Sequence, residues 1–155
     1  MKQFLINGIA AAALLASPVA AQEVNVLEEW RADHATIFNA ADVNLDDLIW
    51  EARPVIVFAQ SPNDPQFEQQ MSLLLERTEL LEERDVIIIT DTDPANPSDA
   101  RLQLRPRGFM LALLSKDGRV ELRKPAPWGI RELSRSIDKM PLRLQEVNNR
   151  RLGNE

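Results

Sequence analysis

The chain has 155 residues, 45% of them hydrophobic and 27% charged, which suits one globular domain with its own core and is short for two. Its 18 Lys and Arg against 24 Asp and Glu leave a net charge of -6, which argues against nucleic acid as a partner, because binding phosphates needs a basic surface. The absence of cysteine excludes disulfides, thiolate nucleophiles, cysteine-bound zinc and iron–sulfur clusters, and the single histidine, His34, excludes a multi-histidine metal site within one chain.

Residues 1–21 read as an export leader. Lys2 supplies the positive start, an apolar stretch runs from Phe4 to Leu15, and Ala16-Ser17-Pro18-Val19-Ala20-Ala21 ends in small residues with Val19 and Ala21 at the positions a signal peptidase reads. That stretch falls well short of the roughly 20 apolar residues a membrane-spanning helix needs. The expectation is a protein cleaved after Ala21 and released to the periplasm, with no membrane partner thereafter.

Residues 22–41 are polar with scattered large apolar side chains and are expected to form irregular elements packing on the core, with one helical turn begun by Asn44 just beyond them. The main domain is expected over 42–147, with a frayed tail from 148 to 155. Val55-Ile56-Val57-Phe58-Ala59 is continuously apolar, the pattern of a strand covered on both faces. A turn-rich loop then leads into a long helix, with Asp64 as N-cap, Pro65 in the first turn, and Phe67, Met71, Leu74, Thr78 and Leu81 on one face. A second buried strand, Val86-Ile87-Ile88-Ile89-Thr90, precedes a short helix over Ser98 to Leu104. Strand, helix, strand with both strands continuously apolar describes a crossover with parallel pairing.

The pattern then becomes antiparallel. Phe109 to Leu114 and Arg119 to Arg123 flank Ser115-Lys116-Asp117-Gly118, a hairpin whose turn geometry Asp117-Gly118 supplies, and whose second strand alternates like an edge. Ile130, Leu133, Ile137 and Met140 mark a final amphipathic helix interrupted at Pro141. The predicted fold class is α/β, a three-layer sandwich with a mixed central sheet and flanking helices.

This order resembles the thioredoxin core, and Arg107-Gly108-Phe109 is similar to the Arg-Gly-aromatic step of peroxiredoxins. Trp50-Glu51-Ala52-Arg53-Pro54 with the strand that follows, Asp64-Pro65, Asp91-Thr92-Asp93, Arg105-Pro106-Arg107-Gly108-Phe109, Lys116-Asp117-Gly118 and Ile137 to Arg143 resemble the bacterial family of domain of unknown function 4174. The resemblance implies a thioredoxin-like fold that here lacks the catalytic cysteines.

The candidate sites follow from that geometry. In a redox relative the nucleophilic cysteine would lie between the first core strand and the next helix, where this chain has Ser61, Pro62, Asn63 and Asp64. A pocket for a carboxylate or phosphate is expected from Arg53, Ser61, Asn63, Asp64, Arg105 and Arg107, because guanidinium forks and a helix N-terminus both favour anions. Asp64, Asp91 and Asp93 form a weaker candidate site for Ca²⁺ or Mg²⁺, although neither acidic loop completes the calcium-loop pattern. His34 is read as a surface residue, and Trp30, Trp50 and Trp128 as loop anchors or groove walls. The leading expectation is a non-enzymatic module binding a protein, a peptide or a small anion, with no cofactor. The alternatives are a carboxylate- or metal-dependent enzyme built on the three aspartates, and an assembly protein pairing through the hairpin edge.

Overall fold

The structure is a computed structural model that describes residues 25–153; the predicted leader lies outside the described residues. Five strands form one mixed sheet in the order β1-β3-β2-β4-β5, where β1 is Ile37–Asn39, β2 Arg53–Phe58, β3 Val86–Asp91, β4 Met110–Leu114 and β5 Val120–Lys124. The two apolar runs lie side by side in parallel with Val55 opposite Ile88, while β4 runs antiparallel to β2 and β5 antiparallel to β4.

β2 and β4 are buried along their whole length, and β3 everywhere but at the half-buried Thr90, because their two faces feed two different cores. Ile56, Phe58, Ile87, Ile89 and Ala112 point to one side; Val55, Val57, Ile88, Leu111 and Leu113 point to the other. The first core is closed by Trp30 of helix α1 (Val26–Ala32), Phe38, Leu48, and Ala100 and Leu104 of α4 (Asp99–Leu104). The second is closed by Leu74 of α2 (Pro65–Leu75), Leu81 of α3 (Thr78–Glu82), and Leu133 and Ile137 of α5 (Ile130–Asp138). This is the three-layer sandwich anticipated from the apolar pattern.

Local signals carried through where they are strong. Asp64 caps α2 by accepting the Gln66 N–H at 2.9 Å, with Pro65 in the first turn. Asp64→Ala is expected to cost about 1 kcal/mol in a urea melt, and an unchanged midpoint would show that the cap is dispensable. Asn44 caps the short 3-10 helix Leu45–Leu48, and Ser98 caps α4. In the β4–β5 hairpin the Gly118 N–H reaches the Ser115 carbonyl, and Gly118 takes φ +82°, a left-handed conformation that glycine adopts without a steric cost.

Three expectations are corrected. The long helix after Asp64 is two helices, α2 and α3, broken where Arg77 leaves helical geometry at φ -147° and ψ 70°. The break lets Leu81 turn onto the sheet, which one straight rod continuing α2 need not do. Residues 37–39, read as irregular, form β1 and pair in parallel with β3. The tail does not stop being regular at residue 148: Pro141 starts α6, which continues to Leu152 and is anchored by the nearly fully buried Arg143.

Candidate cationic groove

The C-terminal ends of β2 and β3 are tied together by one buried ion pair. Arg101, on α4, donates from Nε to Asp91 Oδ1 at 2.9 Å and from Nη2 to the Ala59 and Asp91 carbonyls, both at 2.9 Å. Ser98 donates its hydroxyl to Asp91 Oδ2 at 2.5 Å, and the Arg101 guanidinium lies 5.4 Å from the centre of the Phe58 ring. Both oxygens of Asp91 are therefore engaged. Asp93 is exposed and accepts from Asn96, whose side-chain amide is the main cause of a carboxyl held below its usual range. Asp64 is occupied as the cap of α2. Among the described residues no group of three or more His, Asp or Glu side chains is disposed to hold a metal ion. The expected cluster of Asp64, Asp91 and Asp93 is thus not assembled, because each carboxylate satisfies local donors instead.

Nor does the structure assemble the anion pocket as the sequence suggested. Arg53 begins β2 and so lies at the opposite end of the sheet from the loop that follows Phe58. Its side chain is fully buried, donating to the Arg84 carbonyl at 2.9 Å and to Glu146 Oε1 at 2.7 Å. Ser61, Asn63 and Asp64 remain in the loop between β2 and α2, where the Asp64 N–H closes a turn on the Ser61 carbonyl.

Arg105 and Arg107 do come together, in a different place. α4 ends at Arg105 in a left-handed conformation, φ +50° and ψ 58°, which turns the chain toward the start of β4. There Arg105 and Arg107 meet Arg123 and Lys124 from the end of β5 around an open groove of about 300 Å³, with Phe109, Met110 and Pro125 as its apolar walls. Arg123 and Lys124 were missed by sequence reasoning. Their only sequence signal was the edge strand's alternation, and the partner strand that brings them to Arg107 is not visible in spacing alone.

Two of the four cations have internal anchors. Arg123 donates to the Leu104 carbonyl at 2.7 Å, at the negative end of α4, and the Lys124 ammonium sits 4.4 Å from the centre of the Trp128 ring. Trp128 is itself fixed by Gln70, whose side chain accepts its backbone N–H at 2.8 Å and donates to its carbonyl at 3.0 Å. Among the described residues no acidic side chain lines the groove. Chemically, guanidinium forks suit a charged head and apolar walls suit an apolar body beside it.

Comparison with known proteins bears on the fold. Residues 44–146 match the family described as domain of unknown function DUF4174. The chain belongs to that family. Among solved structures it is similar to thioredoxin peroxidase I of Plasmodium yoelii, with a TM-score of 0.50 and 17% identity, over 69% of this chain and 80% of that one. At that identity the likeness concerns the fold alone, and it is the thioredoxin-like fold that the sheet order already displays. No curated protein matches the sequence. The DUF4174 chain has no cysteine to place between β2 and α2, so a thiol-based peroxidase or disulfide exchange step has no nucleophile in these 155 residues.

Proposed function

We propose that this DUF4174 protein is an exported binding module that captures a small organic anion, a carboxylate or phosphate with an apolar body, in the groove of Arg105, Arg107, Arg123 and Lys124. The observation that carries the reading is charge placement: in a chain of net charge -6, four cations converge on a groove that has no acidic wall among the described residues. Scattered surface cations in such a chain would ordinarily be paired with the surplus carboxylates. The apolar walls favour a ligand that is more than a bare ion, since they gain by being covered.

Titration calorimetry with phenyl phosphate, inorganic phosphate and benzyl alcohol tests the reading. Phenyl phosphate is expected to bind tightest, with affinity falling as salt is raised. Arg107→Ala and Arg105→Ala should each weaken it by about tenfold, the loss of one charge-assisted hydrogen bond. Equal affinity for wild type and both variants removes the groove from consideration. The export half of the reading rests on the residue pattern of 1–21, and N-terminal sequencing of the periplasmic protein should begin at Gln22.

A further inference from the structure

A second concave site lies at the other end of the sheet and is independent of the cationic groove. Trp50 is 64% exposed, the largest aromatic side chain type placed on the surface rather than in either core. Its backbone is left-handed at φ +68°, a conformation that costs a bulky residue energy and persists only where the surroundings impose it. The surroundings do so here. The Trp50 N–H donates to the Lys116 carbonyl at 2.7 Å, and the next two N–H groups, of Glu51 and Ala52, both donate to the Leu48 carbonyl at 3.0 Å. The backbone that carries this exposed indole is thereby fixed in place.

Facing it is a groove of about 300 Å³, at the lower edge of the size of small-molecule sites, formed with Lys116, Leu142, Gln145, Glu146 and Asn149. Gln145 and Asn149 are four residues apart on α6, so both exposed side chains share one face of that helix. Lys116 and Glu146 are 3.5 Å apart and are further pinned, Lys116 to Asp85 at 2.8 Å and Glu146 to Arg53 at 2.7 Å. Among the described residues that line the groove one is a cation and one an anion, and they are paired with each other. The groove also offers a flat apolar plate beside amides that both donate and accept.

We propose that this groove binds a pyranose sugar without net charge. A pyranose has one face of C–H groups, which stacks on the Trp50 ring, and a rim of hydroxyls, which meets Gln145, Asn149 and the Lys116–Glu146 pair. An anionic ligand would meet the Glu146 carboxylate as well as Lys116, and a purely apolar one would leave the amides and the ion pair unsolvated.

The test is a titration of the ¹⁵N-labelled protein with methyl glucoside, N-acetylglucosamine and cellobiose, with glucuronate as the charged control. At least one neutral sugar should shift the Trp50 indole and the Gln145 and Asn149 side-chain amide signals saturably, with a Kd of about 1 mM, and more strongly than glucuronate. Trp50→Gly should lower that affinity by at least about tenfold, while its melting temperature stays level or rises, because glycine accepts the left-handed backbone. Trp50→Phe keeps an aromatic plate and should retain binding. The proposal is overturned if no neutral sugar gives a saturable shift, if Trp50→Gly binds as well as wild type, or if the Trp50 signal moves only with protein concentration, which would make the groove a contact between copies. Loss of phenyl phosphate binding in the Arg107 variant has no bearing on any of these readings.

Discussion

Arg101→Met is expected to destabilise the protein by about 3–5 kcal/mol, read as the shift of the urea midpoint at constant slope. The size follows from what the guanidinium holds. It is buried, bonded to Asp91 and to the carbonyls of Ala59 and Asp91, and it covers the Phe58 ring. Methionine fills the space but leaves the Asp91 carboxylate buried with only Ser98 and the Asp93 N–H as donors, the second at 3.3 Å. It also leaves the Ala59 carbonyl without its donor from α4, and an unmet buried acceptor is costly. Two strand ends and a helix are joined through this one side chain, so the loss should spread to hydrogen exchange at Ala59 and Asp93. A change below about 1 kcal/mol would mean that the ion pair only offsets its own desolvation.

Arg53→Met is expected to cost about 2–4 kcal/mol and to change how stability depends on acid. Arg53 is fully buried, yet its Nε has no hydrogen-bond partner among the described residues, and neither has Glu146 Oε2. A partly satisfied cluster contributes less than a satisfied one, and Glu146 keeps Lys116 and Arg143 as neighbours when Arg53 is gone. Hence the lower range. Burial acts to raise the Glu146 carboxyl, but the hydrogen bond from Arg53 and the charges of Arg53, Lys116 and Arg143 outweigh it and hold the group below its ordinary value of 4.5.

The unfolded chain therefore takes up the Glu146 proton at a higher pH than the native protein. The stabilisation is complete above the unfolded value near 4.5 and is lost as pH falls through the lower native value. Glu146→Gln should remove that part of the acid limb, and Arg53→Met should make it shallower. Denaturant midpoints measured at intervals below about pH 5 check both. An acid limb as steep in Glu146→Gln as in wild type would assign the effect to other carboxylates.

These two arginines also show where sequence reading stops. The partners of Arg53 and Arg101 are set by contacts across the fold: Arg53 and Glu146 are separated by 93 positions. Coulomb attraction has no sequence period. A charge pattern lists the possible pairs without choosing among the surplus of carboxylates, and only the packing of α4 and α6 chooses. The same reason explains the groove. Arg105 and Arg107 are two positions apart and share a sequence motif, while Arg123 and Lys124 join them only because β5 returns beside β4.

What the amino-acid order determined by itself was local or periodic. Unbroken apolar runs bounded by turn residues favour strands covered on both faces; Asp64, Asn44 and Ser98 each cap the backbone a few residues ahead; Gly118 permits the left-handed corner of a tight hairpin; and a chain without cysteine has no thiol chemistry. Tertiary structure alone decided the break at Arg77, the recruitment of residues 37–39 as an edge strand, the removal of Arg53 from the anion site, and the presentation of Trp50 beside α6. Those outcomes depend on which surfaces meet, and the free energy of that meeting comes from area and partners contributed by distant parts of the chain.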